Sequence, residues 1–198
     1  MDKREILIRE ASLNDLNDIL LLYNNYMYDS YMARMGPRFV KHYLKVILGS
    51  RECVSFVAEN NGVVGFIMAS RDQRKIKSRL LLNMQLLTFW CKEFLKNPGV
   101  AIGALEVAKY PFLAFVKGVK TELLFISIMP EYRKMGIALK LIRSTLEYMK
   151  HKGVREVKVT TVRANDAVNE LLKNMGFIKK RSFRLFAKEM NLYTKEIT

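Results

Sequence analysis

The sequence predicts a mixed α/β fold, one sheet with helices on its faces, in the order β-α-α-β-β-(helical insert)-β-α-β-α-β-β. Three observations carry this expectation. Short runs rich in Val, Ile and Phe alternate with stretches whose apolar residues return every three or four positions. Turn signals separate them, notably Asn60-Asn61-Gly62 and Asn97-Pro98-Gly99. At 122–139 the run ELLFISIMPEYRKMGIAL passes from the strand pattern to the helix pattern through a lone glycine, Gly136.

The elements follow in order. EILIREA alternates and reads as a first strand. Ser12 and Asp15 stand at capping-box spacing ahead of a helix carrying Ile19, Leu22 and Tyr23. After a Tyr- and Met-rich stretch and a Gly-Pro break, a second helix is expected over 37–48. CVSFVAE and VVGFIMAS flank Asn60-Asn61-Gly62 as a hairpin. RKIKSRLLLNMQLLTFWCKEFLK reads as one long helix with Leu80, Leu81, Met84, Leu86, Leu87, Phe89, Trp90 and Phe94. The following stretch, interrupted by Pro111, reads as a broken helix. ELLFISIM is a strand, and the helix after it shows a stripe of Ala138, Leu141, Ile142, Leu146 and Met149, with Gly153 as its C′ residue. EVKVTTVR is a strand. NDAVNELLKNMG is a helix with Val168, Leu171, Leu172 and Met175 on one face, and runs at 177–184 and 186–195 close the sheet.

With 198 residues, 50% of them hydrophobic and 27% charged, the chain suits one domain with a substantial core. The start is charged and has no apolar signal core, and no apolar run reaches the length of a membrane span, so a cytoplasmic protein is expected. Cys53 and Cys91 have no CxxC or Cys/His neighbour, which argues for reduced thiols and against a metal site. The net charge of +15 attracts anions, whether nucleic acid, acidic membrane or a polyanionic cofactor. Residues 71–120 concentrate it, with ten Lys and Arg against three Asp and Glu. No aromatic-basic single-strand pattern accompanies the charge, so nucleic acid is not the expected partner.

Two readings fit the strand–Gly–helix passage. The first amides of a helix lack internal partners and carry the positive end of its dipole, so Gly136 would let a phosphate approach, with Arg133 and Lys134 adding charge. The other reading is an ordinary junction. No Gly-Lys-Ser/Thr follows, and the three-glycine dinucleotide pattern is missing.

MPEYRKMGIALKLI resembles the acyl-CoA-binding motif of the GCN5-related N-acetyltransferase (GNAT) superfamily, Arg/Gln-x-x-Gly-x-Gly/Ala, with Arg133, Gly136 and Ala138 in its fixed places. RANDAVNELLKNMGF is similar to a second block of that family through Asn165 and Met175-Gly176-Phe177, and IREASLNDLNDI and VAENNGVVGFIMA are similar to its opening strand, helix and hairpin. The resemblance covers 5–70 and 122–195 and implies a single acyl-CoA N-acyltransferase domain over 1–198, with 71–120 as a helical insert. It implies fourth and fifth strands that splay apart, and acetyl-CoA as cofactor with no metal. The pantetheine arm would pair with the backbone of Ile126, Ser127 and Ile128. The pyrophosphate would rest on the amides of Arg133, Lys134, Met135, Gly136, Ile137 and Ala138, and Asn165 would meet the cofactor from the next junction.

Acyl transfer needs a neutral amine. Neutralising a lysine-like amine at pH 7 costs roughly 4.6 kcal/mol, which gives a general base its value. Glu122, at the start of the fourth strand and eleven residues before Arg133, resembles the glutamate of the histone-acetyltransferase branch; a solvated strand-end carboxylate is the plain alternative, and Glu59 or Glu106 would be other bases. The family's usual acid is a tyrosine four residues before the Gly of Gly176-Phe177, and here that position is Leu172, on the apolar stripe. Asn169, one turn earlier, is a candidate for placing a water.

The acceptor is less defined. Direct attack by a small-molecule or sugar-linked amine in a ternary complex is the leading expectation, supported by the four tyrosines of YNNYMYDSYMARM as stacking faces. The alternatives are a protein N-acetyltransferase or a non-catalytic acyl-CoA sensor. The insert reads as a lid over the acceptor, as a basic amphipathic contact with an anionic membrane, or as a flap or homodimer surface.

Overall fold

A computed structural model describes residues 5–96 and 98–197. Its strands are β1 (Leu7–Glu10), β2 (Cys53–Glu59), β3 (Val63–Ser70), β4 (Thr121–Ile128), β5 (Glu156–Val162), β6 (Ile178–Leu185) and β7 (Lys188–Glu196). The helices are α1 (Leu16–Tyr26), α2 (Pro37–Leu48), α3 (Gln73–Leu81), α4 (Met84–Lys96), α5 (Pro98–Leu113), α6 (Ile137–His151) and α7 (Asp166–Asn174). One seven-stranded sheet runs β1-β2-β3-β4-β5-β7-β6, antiparallel throughout except for the parallel pair β4–β5.

The expected element order holds, and local chemistry explains it. Ser12 accepts from the Asn14 amide while the Asp15 carboxylate accepts from the Ser12 amide at 2.7 Å, closing the capping box. It starts a short 3-10 turn that α1 continues. Asn61 and Gly62 turn the β2–β3 hairpin with φ of 55° and 139°. Each face of the sheet has its own core. Leu141, Ile142, Leu146 and Met149 of α6, with Leu172 and Phe177, cover one face. Ile19, Leu22 and Tyr23 of α1, with Val40, Leu44 and Ile47 of α2, cover the other. β3 lies between them, buried along its whole length.

The insert departs from expectation twice. The long helix expected across residues 74–96 is two helices, α3 and α4. Asn83 lies between them, where its Oδ1 accepts from the Leu86 amide at 3.1 Å and so caps the first turn of α4. The helix expected to break at Pro111 instead runs through it and ends two residues later at Leu113, so the proline marks the end of α5 and not an interior break. α3 and α4 pack beside α2, and α5 packs on α4 and β6. Leu86 is buried with Tyr31, Met35 and Phe39, against half-buried Leu80, Phe89 and Val107. Met84 and Leu87 are exposed, and the side chains of Leu81, Trp90 and Phe94 lie outside the described residues.

The β6–β7 turn carries no glycine or asparagine signal, yet Phe186 and Ala187 both take left-handed backbone, φ 51° and 60°. Phe186 stacks on Tyr31 with ring centroids 5.0 Å apart, and its amide donates to Glu106 Oε2 at 3.3 Å. These contacts hold a turn that its residues do not favour.

Candidate functional site

β4 and β5 pair only from Thr121↔Val157 to Leu123↔Val159. Beyond that rung they separate, so the edge of β4 over Leu124–Ile128 that faces β5 has no neighbouring strand in the ladder. A bulge reinforces the divergence. Leu123 opposes Ala69 and Phe125 opposes Met68, leaving Leu124 as the extra residue. Bulges increase local twist and re-aim the side chains that follow. Here Phe125 packs on the α1/α2 face while Ile126 and Ile128 pack on the α6 face. Ser127 is buried and pairs with Phe66. The structure thus sets Ile126, Ser127 and Ile128 on the strand that flanks the opening.

The loop at the far end of β4 leads into α6, and contrary to expectation the Arg133 amide is not free in it, since it donates to the Pro130 carbonyl at 3.1 Å. Arg133 is extended, and its Nε donates to the Ile128 carbonyl at 3.1 Å while its guanidinium lies 5.7 Å from the Tyr26 ring centroid. Lys134 and Gly136 both take left-handed backbone, φ 63° and 75°. Gly136 is the N-cap of α6, and no side chain caps that helix. The early amides at Ile137 and Ala138 therefore lack a side-chain acceptor. A Cβ built on Gly136 would meet nothing within 4 Å, so its approach is open. Met135 is exposed, Ile137 is buried and Ala138 is half-buried, which seats the helix start on the core. Asn165 is the N-cap of α7, its side chain accepting from the Val168 amide at 3.3 Å, and it is exposed.

Below the divergence lies a buried polar cluster. Glu122 is 3% exposed, so the solvated strand-end reading does not hold. Its Oε1 accepts a hydrogen bond from Tyr110 of α5. Its Oε2 lies 3.5 Å from Lys158 Nζ, a charge contact without hydrogen-bond geometry. Lys158 donates instead to the Ala114 carbonyl at 2.7 Å. The Tyr110 hydroxyl also reaches Thr160 Oγ1 at 3.0 Å. Lys77 of α3 lies 5.3 Å from the Tyr110 ring centroid, its ammonium buried without a hydrogen-bond partner. Burial holds the Glu122 carboxyl above its ordinary value, opposed by Lys158, Tyr110 and Lys77. Burial, and then the Glu122 charge, push the Tyr110 phenol far up, while burial lowers Lys77.

The other candidates are engaged elsewhere. Glu59 accepts from Arg9 at 2.6 Å, and Glu106 from Lys109 at 2.9 Å and from the Phe186 amide. Leu172 is core, 1% exposed. Asn169 is engaged by protein groups. Its amide donates to the carbonyls of Val162, Arg163 and Asn165, and its Oδ1 accepts from Asn191 at 2.9 Å and Tyr193 at 2.8 Å. Of the four tyrosines expected as stacking faces, Tyr23 and Tyr31 are core residues, Tyr26 lies beneath Arg133, and Tyr28 is exposed. Sequence reasoning missed Tyr110, Thr160, Lys158 and Lys77. The alternation of EVKVTTVR does hold a trace of two of them, since Lys158 and Thr160 share a face opposite Val157 and Val159. Tyr110 has no such signal.

No group of His, Cys, Asp and Glu among the described residues is arranged to hold a metal, and no described helix is long and apolar enough to cross a membrane. The pattern of the acetyltransferase (GNAT) family matches residues 73–177. A curated relative, N-alpha-acetyltransferase 30 of Schizosaccharomyces pombe, is 36% identical over 62 residues, 31% of this chain and 41% of its own length, so the alignment spans less than half of that relative. Among solved structures, Arabidopsis thaliana NAA60 in complex with acetyl-CoA superposes with a TM-score of 0.63 at 17% identity, covering 97% of this chain and 98% of the other. A chain of the NatC complex bound to Gag peptide and CoA gives 0.61 at 14%, covering 98% and 100%. At such identities the likeness is one of fold. The family pattern spans more than half of the 198 residues, and with it the chain belongs to the acetyltransferase (GNAT) family.

Proposed function

We propose that the protein transfers an acetyl group from acetyl-CoA, a substrate here, to a primary amine by direct attack in a ternary complex. We further propose that the amine is the α-amino group of a peptide or protein N-terminus. The observation that carries the first part is the uncapped start of α6 behind left-handed Lys134 and Gly136, beside a β4 edge that β5 has left. Main-chain donors from Lys134 to Ala138 would hold the diphosphate, the Arg133 amide being already bonded to the Pro130 carbonyl. The β4 edge at Ile126–Ile128 would receive the amide-bearing arm. Asn165 flanks the same opening from α7. The thioester supplies an activated acyl carbon.

The acceptor reading follows the relatives, whose names specify N-alpha acetylation and a bound peptide. They favour a protein acceptor over the small or sugar-linked amine expected from sequence, and so does the packing of two of the four candidate stacking tyrosines into the core. Chemistry agrees. An α-amine has an ordinary pKa of about 7.7–8.0, so its neutralisation at pH 7 costs only about 1 kcal/mol, far less than for lysine. Glu122 is the base of this reading, buried where the strands part. The protein's strong positive charge disfavours basic peptides.

Thermal denaturation with acetyl-CoA, followed by thiol release from acetyl-CoA with a pool of random heptapeptides bearing free α-amines and with a panel of amino sugars, tests both parts. A raised Tm and release with peptides alone are expected. Release with amino sugars alone would overturn the acceptor. A raised Tm with no release from any amine would leave a binding protein, and an unmoved Tm would remove acetyl-CoA altogether.

A further inference from the structure

The helical segment between β3 and β4 carries a residue that none of the sequence motifs quoted above names. Glu122 is nearly sealed from solvent, so an amine in the opening between β4 and β5 cannot touch its carboxylate directly. The group standing against it is Tyr110, from the last turns of α5. The Tyr110 hydroxyl bridges Glu122 Oε1 on β4 and Thr160 Oγ1 on β5. Those residues bracket Leu123↔Val159, the last rung before the strands part. Several contacts fix α5 and its exit there. Lys158 donates to the Ala114 carbonyl at 2.7 Å, Arg181 donates to the Phe115 carbonyl, and the Tyr110 ring lies 6.4 Å from that of Phe183.

We infer that Tyr110, delivered by the insert, is the catalytic hydroxyl that relays the proton between the acceptor amine and Glu122. This rests on the acetyl-transfer reading above. As the amine nitrogen bonds to the thioester carbon, its surplus proton passes to the Tyr110 oxygen while the Tyr110 proton passes to Glu122. When the C–S bond breaks, the sulfur leaves with the electron pair. The proton returns from Glu122 through Tyr110 to that sulfur. The amine loses one proton, the thiol gains one, and Glu122 and Tyr110 end as they began. Tyr110 never has to exist as a phenolate, consistent with the upward push on its phenol. The same hydroxyl serves both directions, so the absence of an acid at Leu172 is no obstacle.

The groups facing Glu122 are Lys158 of β5, Lys77 of α3, Tyr43 of α2 and Tyr110 of α5. The Tyr110 hydrogen bond lowers the Glu122 carboxyl, so its loss raises it.

The test uses the full chain, acetyl-CoA and the heptapeptide pool. Tyr110→Phe keeps the ring and removes only the hydroxyl. It is expected to lower kcat on the order of a hundredfold, the low end for general acid–base contributions. KM for acetyl-CoA and the acetyl-CoA-dependent rise in Tm stay as in wild type, and the acid limb of the rate profile moves to higher pH. In the free protein, a carbon-13 titration of the Glu122 carboxyl, assigned by its loss in Glu122→Gln, moves up in the same variant. Thr160→Val, which leaves Tyr110 in place, lowers kcat several-fold with the same unchanged KM. Wild-type kcat in Tyr110→Phe overturns the relay even where the titration moves, since that is the signature of a structural hydrogen bond. Should Tyr110→Phe not fold, wild-type kcat in Thr160→Val overturns it. A wild-type protein that neither gains Tm with acetyl-CoA nor releases thiol removes the underlying reading instead.

Discussion

Leu123 and Val159 form the last rung between β4 and β5, and the site is organised around that rung. Above it the strands diverge, and the backbone of Ile126–Ile128 leads to the uncapped α6 helix. Below it Glu122 and Lys158 pair side by side in the ladder. On β4 the proposed binding face at Ile126–Ile128 and the buried Glu122 thus lie on opposite sides of that rung.

Gly136→Asp should abolish the rise in Tm produced by acetyl-CoA. At a hundred times Kd a bound ligand stabilises by about 2.7 kcal/mol, and a carboxylate placed in the open approach to Gly136 opposes a diphosphate by charge. The left-handed backbone there adds about 1–2 kcal/mol of strain for any side chain, so Gly136→Ala should lower intrinsic stability yet keep part of the ligand effect. An undiminished rise in Gly136→Asp places the diphosphate elsewhere.

Lys158→Met should destabilise the fold in a pH-dependent way. Burial already holds the folded Glu122 carboxyl above its ordinary value, and Lys158 is the strongest influence holding it down. Removing the ammonium raises it further. A carboxyl whose folded pKa exceeds its unfolded one binds more protons when folded, so stability falls as pH rises through that interval. Breaking a buried pair costs about 3–5 kcal/mol. The full loss is expected at about pH 8 and a smaller one at about pH 5, measured by urea denaturation. Equal losses at both would mean that Glu122 is not ionised beside Lys158.

Leu172→Tyr restores the residue that the family usually places there, and no gain in kcat is expected. Leu172 is packed among the α6 core residues, and forcing a larger ring into that space costs about 1–3 kcal/mol. Raised turnover in this variant would show that the missing acid limits the reaction.

Asn169→Ala should cost roughly 2–4 kcal/mol, because the buried donors of Asn191 and Tyr193 lose their shared acceptor. The network ties α7 to β5 and β7, so the loss should appear in global unfolding and leave the acetyl-CoA rise in Tm intact. A selective loss of that rise would make Asn169 part of the binding face.

What the sequence by itself determined was local. Alternating and three-to-four periodicities, the Ser12 and Asp15 box, the Asn61-Gly62 turn and the glycines at 136 and 153 depend on neighbours a few positions away, so the strand and helix order and the α6 start were legible. The tertiary structure decided everything that depends on distant partners. Phe186 takes left-handed backbone in a turn without a glycine or asparagine, where its ring stacks on Tyr31 and its amide donates to Glu106, partners that no local pattern announces. The character of Glu122 belongs to the same class. Its burial, its charge contact and its hydrogen bond come from β5 and α5, with Thr160 completing the bridge from 50 residues beyond Tyr110. A carboxylate's properties follow from desolvation and from the charges around it, and those exist only once the insert has folded onto the sheet.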